Sequence, residues 1–338
     1  MEDWSQGIPL AYVRELAQYW ASDYDMRRLE TRLNRFPQQR TEVDGFGIHH
    51  LHVRSENPDA KPLIMTHGWP GSVVEFLNVI EPLSEDFQLV VPSLPGYGWS
   101  DKPETAGTDI VRIGQLWDGL MRELGYERYY AQGGDWGGII TWTMGQQQPV
   151  GLLGIHLNMA ICSPEELMKL GELTEEEKFQ VSRFPWYQEQ EAGYAIEQGT
   201  KPQTVGYGLA DSPVGQLAWI AEKFHGWTEN EGHPEDAVSR DEILDNVMVY
   251  WLTNSAASSA RLYWQSIGGA LRTFDPIPVP AAYSKFPGEI LTFSERWVRT
   301  RFTDLRSYSE PERGGHFAAF EEPGLFVEEV RKGIAALA

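Results

Sequence analysis

Residues 133–138 read Gly133-Gly134-Asp135-Trp136-Gly137-Gly138. A short run of strand type, Tyr129-Tyr130-Ala131-Gln132, precedes them, and a run of helix type, Ile139 to Met144, follows. Strand, glycine-flanked turn and helix in that order form the context of a nucleophile elbow. Gly133 and Gly137 are the outer glycines of the G-x-nucleophile-x-G spacing, and aspartate stands where serine is usual. Such a turn strains the backbone of the nucleophile and needs small neighbours so that strand and helix can pack behind it. It also aims the N–H of the next residue, Trp136, at the site as an oxyanion donor. A glycine-rich turn with a helix-capping aspartate has the same local signature, so the rest of the chain decides between them.

Working outward, Pro62 to Thr66 reads as a buried strand that runs into His67-Gly68-Trp69-Pro70-Gly71-Ser72 and then a helix over Val73 to Leu83. A His-Gly-x-Pro turn after an early strand is where an α/β-hydrolase sets its second oxyanion donor, here the N–H of Trp69. An ordinary strand-to-helix turn punctuated by Gly and Pro is the plainer alternative. Strands are expected at Phe87 to Val91 and Leu152 to Leu157, with an amphipathic helix over Ile110 to Leu124. This alternation implies a mostly parallel, doubly wound sheet, whose sites lie at the carboxyl ends of its strands. His67, Asp135 and Asn158 all follow such ends.

Nearer the N-terminus, helices are expected over Ile8 to Trp20 and Asp25 to Leu33. Thr41-Glu42-Val43 and Phe46 to Val53 flank Asp44-Gly45, a hairpin signal. His49, His50 and His52 lie in its second strand, where His50 and His52 share a face and His49 does not. They read as strand-face histidines rather than metal ligands.

From Ser163 to Gly269 the alternation stops. Helix-type segments dominate, over Pro164 to Phe184, Gly193 to Gln198, Val214 to Phe224 and Asp241 to Ser266, and they are dense in Trp and Tyr. This reads as a helical cap inserted between sheet strands. Aromatic density serves core packing anywhere, and it also suits the apolar walls of a pocket. Sheet pattern resumes at Val279 to Tyr283 and Thr303 to Tyr308, and Pro323 to Leu337 is a closing helix. The expected division is a helical segment packing on the core (1–40), a first core part (41–162), the cap (163–269) and a second core part (270–338).

Composition narrows the function. The chain has 338 residues, 41% hydrophobic and 23% charged, and a net charge of -21. That balance argues against a nucleic-acid or anionic-membrane partner. A single cysteine, Cys162, allows neither an intramolecular disulfide nor a cysteine zinc site. No secretory signal or membrane span is visible, so a cytoplasmic location is expected.

An elbow needs an acid and a histidine later in the chain, in that order. His316, in Gly314-Gly315-His316-Phe317 after the last strand, fits as the base. His156 lies within a strand, and His225 and His233 lie in the cap. Glu289 follows the strand ending near Tyr283, with Glu295 as the competing acid six residues on; either would otherwise be a solvated surface charge. An aspartate nucleophile suits attack on saturated carbon bearing a leaving group, which leaves an alkyl ester on the enzyme. Histidine-activated water then cleaves that ester, with the Trp69 and Trp136 N–H groups holding the oxyanion. Epoxides and alkyl halides both qualify. A halide needs only N–H donors, whereas an epoxide oxygen needs an acid such as tyrosine.

The chain resembles the microsomal-type epoxide hydrolases nearly end to end. The matching residues are Phe36-Pro37-Gln38 with Thr41-Glu42-Val43-Asp44-Gly45, His67-Gly68-Trp69-Pro70-Gly71-Ser72, Pro92-Ser93-Leu94-Pro95-Gly96-Tyr97-Gly98, Gln132-Gly133-Gly134-Asp135-Trp136-Gly137 and Gly314-Gly315-His316-Phe317-Ala318-Ala319. The resemblance implies that two cap tyrosines bind the epoxide oxygen. They are Tyr194, ahead of Thr200-Lys201-Pro202, and Tyr263, after Ser258-Ser259-Ala260-Arg261. It also selects Glu289, two residues beyond Phe286-Pro287, over Glu295. Departures are Trp99, where Phe is often found, and a short link from Leu83 to Phe87; the N-terminal segment is expected to be shorter than the family's and to carry no membrane anchor.

The resulting expectation is an epoxide hydrolase of α/β-hydrolase fold with a helical lid and an N-terminal helical and hairpin segment. It takes a small apolar epoxide and water, with no cofactor and no metal. Its oligomeric state is left open, a homodimer being one option. A haloalkane dehalogenase and a non-catalytic ligand-binding protein of the same fold are the alternatives.

Overall fold

The computed structural model describes residues 3–162, 164–268 and 274–338. Its frame is one sheet of eight strands: β1 (Gln38–Val43), β2 (Phe46–Val53), β3 (Lys61–Thr66), β4 (Phe87–Pro92), β5 (Tyr129–Gly133), β6 (Leu152–Leu157), β7 (Ala281–Ser284) and β8 (Leu305–Ser309). The spatial order is β1-β2-β4-β3-β5-β6-β7-β8. The β1–β2 and β2–β4 pairs are antiparallel and the others parallel. β3, β4, β5 and β6 are short apolar runs, the pattern of strands covered on both faces, and their central residues are buried. In the register of β3 and β5, Thr66 stands opposite Gly133. That pairing sets the loop after Thr66 directly beside the turn after Gly133.

Several helices differ from the sequence expectation for local reasons. Val73 to Leu83 is not continuous. It forms a 3-10 turn, Val73–Phe76, and a short helix, Ile80–Leu83. Pro82 would press its ring against the Asn78 carbonyl in an unbroken helix. Asp241 to Ser266 divides into Arg240–Leu252 and Ala256–Ser266, with Asn254 left-handed at φ 50 between them, as asparagine tolerates. Pro164 to Phe184 divides into Pro164–Met168 and Glu175–Trp186. The second piece begins at a capping box in which Thr174 and Glu177 satisfy each other's end of the chain. A helix at Pro202–Asp211 was not expected; Pro202 sits in its first turn, where its missing N–H costs nothing. The strand expected from Val279 begins at Ala281, just after Pro280.

The helices between β6 and β7 cover the carboxyl ends of the strands. The expected cap boundaries at 163 and at 269–270 lie outside the described residues. The N-terminal segment, expected to pack on the core, also reaches the cap. Tyr19 donates to Asp241 at 2.8 Å, and Tyr24 donates to the fully buried Asp245 at 2.7 Å. Arg28 and Arg32 pair with the same Asp245 carboxylate at 3.1 and 2.7 Å.

Candidate active site

Asp135 opens the helix Asp135–Gln147 with a left-handed φ of 50. A side chain rarely accepts that conformation, so it is a point of strain held by its surroundings. The flanking glycines explain what holds it. A Cβ on Gly133 would lie 2.2 Å from the Gly137 carbonyl oxygen, and one on Gly137 would lie 1.9 Å from that of Thr66. Strand, turn and neighbouring strand are therefore in backbone contact, and only glycine fits.

The Trp69 N–H donates to Asp135 Oδ1 at 2.7 Å. The Trp136 N–H lies in the first turn of the helix, where amides have no partner within the helix. Of the two amides expected as oxyanion donors, that of Trp69 already holds one oxygen of the carboxylate.

His316 lies on the opposite side. Its Nε2 is 3.4 Å from Asp135 Oδ2, and its Nδ1 is 2.8 Å from Glu289 Oε1. Glu289 Oε1 also accepts from the Ile290 N–H at 2.7 Å. The loop bearing the histidine is pinned. The His316 N–H donates to the Trp227 carbonyl at 2.9 Å, and the Glu321 carboxyl accepts from the N–H groups of Gly315, Phe317 and Glu229. Burial pulls the His316 imidazole down. The charges of Glu289 and Asp135 outweigh it and hold the group well above the ordinary histidine range. Glu295, the competing acid, starts the helix Glu295–Arg301 and pairs there with Arg299 at 2.6 Å, half exposed.

Tyr194 comes from the helix Gly193–Thr200 and Tyr263 from Ala256–Ser266, yet their ring centroids are 5.8 Å apart. Trp69 stacks on Tyr194 at 4.9 Å and 9°, and Trp136 meets Tyr263 edge-on at 4.7 Å and 83°. Among the described residues the Tyr263 hydroxyl is buried without a hydrogen-bond partner. Burial, then the neighbouring tyrosine and the Asp135 charge, push both hydroxyls well above the tyrosine range. They are protonated donors at neutral pH. Asp135, His316, Tyr194 and Tyr263, with Glu289, line one cavity of about 160 Å³ whose other walls include Ile139, Met159, Ile161 and Leu291.

One lining residue was missed in the sequence. The Tyr187 hydroxyl lies 3.1 Å from that of Tyr194, on the π-helical turn Tyr187–Glu191. Burial pushes it up to about 12. Its spacing of seven from Tyr194, two helical turns, was the available signal. The strand histidines go elsewhere: His49 to Ser93 and Gln38, His50 to the Ile48 carbonyl, His52 to Tyr126. Among the described residues no cluster of His, Cys, Asp or Glu could hold a metal ion, and no helix is long and apolar enough to cross a membrane.

Comparison with known proteins adds an independent line. Residues 1–76 match the epoxide hydrolase N-terminus family, and residues 61–204 match the alpha/beta hydrolase fold family. The chain is 48% identical to a Stigmatella aurantiaca protein provisionally named an epoxide hydrolase, over 98% of this chain and 77% of that one. It is 36% identical to epoxide hydrolase 1 of Sus scrofa, over 98% of this chain and 81% of the relative. Among solved structures, the juvenile hormone epoxide hydrolase of Bombyx mori superposes with a TM-score of 0.92 at 33% identity, covering 99% of this chain and 87% of that one. The Aspergillus niger epoxide hydrolase gives 0.87 at 31%, covering 98% and 86%.

Proposed function

The chain belongs to the epoxide hydrolase family, and on that premise we propose that it converts a small apolar epoxide to a vicinal diol through an ester on Asp135. The observation that carries this reading is the convergence of Asp135, His316, Tyr194 and Tyr263 on one largely apolar cavity. Asp135 Oδ1 is held by the Trp69 amide, which leaves Oδ2 as the attacking atom.

Oδ2 forms a bond to an epoxide carbon, and the carbon–oxygen bond of the ring breaks. The departing oxygen takes a proton from the tyrosine pair. That donation is what makes the leaving group acceptable, since an unprotonated alkoxide is strongly basic. The raised imidazolium of His316 returns a proton to the pair and is left neutral. Esterification also removes the Asp135 charge, one of the two carboxylates that favour the imidazolium. His316 is thereby turned into a base for the second step.

Water then gives a proton to His316 Nε2 and adds to the carboxyl carbon of Asp135. The oxyanion forms at the Trp69 and Trp136 amides, which act in a desolvated site. The intermediate collapses and passes its remaining proton to the departing alkoxide. The diol, the Asp135 carboxylate and the imidazolium result, as at the start. Glu289 fixes the ring and its tautomer through Nδ1 and stabilises the positive charge. The reading is tested by mixing His316→Gln with an aliphatic or styrene-type epoxide, then digesting and weighing the peptides. The peptide bearing Asp135 should gain the mass of the epoxide. An unmodified peptide, with epoxide still consumed, would remove the covalent route. Halide release from a haloalkane without epoxide turnover would favour dehalogenation instead.

A further inference from the structure

Asp135 and His316 face two cavities, not one. The first is the apolar cavity of the tyrosines. The second is small, about 20 Å³, and lies against the loop after β3, where it is lined by Gly68, Gly71, Glu75, Asp135, Asn158 and His316. That volume suits about one water molecule, and its lining offers the several polar partners a buried water requires. Glu75 has no part in the reaction as derived above.

Glu75 sits in the 3-10 turn Val73–Phe76, just after Ser72, whose Oγ caps the turn by accepting from the Val74 N–H. The turn aims the carboxyl back along the loop. A Cβ on Gly71 would lie 2.7 Å from Glu75 Oε2, and a Cβ on Gly68 would lie 2.1 Å from Asp135 Oδ1. The loop therefore uses the two glycines to seat two carboxyl groups side by side. Burial pushes the Glu75 carboxyl up to about 8, with the Asp135 charge adding to this while His316 and the Gly68 N–H pull the other way. At neutral pH it is mostly a neutral acid. It therefore adds no second negative charge beside the nucleophile, and its carbonyl oxygen remains a hydrogen-bond acceptor.

We propose that this second cavity is the seat of the hydrolytic water and that Glu75 is a further catalytic residue, accepting one hydrogen bond from that water while His316 takes its other proton. The inference rests on the ester mechanism. Epoxide enters on the tyrosine side of Asp135, and water attacks from the loop side. Two ligands then do not compete for one space, and the ester can form before the water is activated. Glu75 acts only in the second step, because only that step uses the water.

The test separates the two steps in single-turnover experiments on the full chain, following the mass of the Asp135 peptide in acid-quenched samples. Glu75→Met keeps length and volume but removes the acceptor. It should form the ester within about threefold of the wild-type rate and hydrolyse it at least tenfold more slowly, so that ester accumulates. Glu75→Gln keeps an acceptor in the same place and should hydrolyse within about threefold of wild type. Gly71→Ala leaves Glu75 present but displaces its carboxyl, and should also slow hydrolysis selectively. Equal slowing of both steps in Glu75→Met, no slowing, or a Gln variant as slow as Met would overturn the proposal. His316→Gln serves as the reference. If it too forms no ester, the ester mechanism itself is at fault; if it forms ester while Glu75→Met hydrolyses normally, only the role of Glu75 falls.

Discussion

Trp69 joins the two halves of the site: its amide donates to Asp135 Oδ1 at 2.7 Å, and its indole lies flat on the ring of Tyr194 at 4.9 Å. One residue of the loop after β3 thus contacts both the nucleophile and a cap tyrosine. Trp69→Phe keeps the amide but shortens the stacked surface. Ester formation should slow by roughly tenfold, the scale of losing about 1.4 kcal/mol of positioning, and ester hydrolysis should change less. Stopped-flow rates for the two steps check the split.

The tyrosines are unequal in their surroundings. Tyr194 shares a hydrogen bond with Tyr187, whereas among the described residues the Tyr263 hydroxyl has no hydrogen-bond partner. Tyr194→Phe and Tyr263→Phe should each slow ester formation by about 10–100-fold, and the double variant by more than about 1,000-fold, as befits loss of the acid. Tyr187→Phe should cost only a few-fold. Single-turnover rates with one epoxide across the four variants measure this.

Glu289 and Glu295 make opposite predictions. Glu289→Gln removes the charge 2.8 Å from His316 Nδ1 and should slow hydrolysis of the ester by about 100-fold or more, leaving ester formation within a few-fold. Glu295→Gln lies on a half-exposed pair with Arg299 and should leave both steps unchanged. Steady-state turnover with both variants decides which glutamate is the acid.

The pH dependence follows from His316. In the free enzyme Glu289 and Asp135 hold its pKa above the ordinary value. The pairing stabilises the fold fully below about 6.5, the unfolded value, and that contribution is lost as pH rises through the higher folded value. In the ester the Asp135 charge is gone, so the value falls. Hydrolysis needs the neutral ring and should therefore rise with pH and level off at an apparent pKa below that of His316 in the free enzyme. NMR titration of the free enzyme and the pH profile of single-turnover hydrolysis give the two values. Equal values would contradict the account.

How much of this was legible in the sequence depended on range. The elbow around Asp135 could be read because the glycines are demanded by backbone contacts only a few residues away. His316 could be read from chain order. Spacing alone did not separate Glu289 from Glu295, since the choice turns on where a helix starts; the resemblance made it, and Glu295 begins that helix. Tyr194 and Tyr263 come from separate helices, so no local pattern links them. Asn254 broke an expected helix through a left-handed conformation that asparagine tolerates but does not announce. Glu75 was invisible, because a glutamate in the first turn of a helix is ordinarily a solvated charge, and only the fold turns it toward Asp135.

The most direct measurement of the central claim is the origin of the diol oxygen. With enzyme in excess over epoxide in heavy-oxygen water, the first turnover should give diol without heavy oxygen, because the new oxygen comes from Asp135. Later turnovers should carry the label, and the Asp135 peptide should have gained it. Labelled diol in the first turnover, with an unlabelled peptide, would mean that water attacks the epoxide directly and that Asp135 is not the nucleophile.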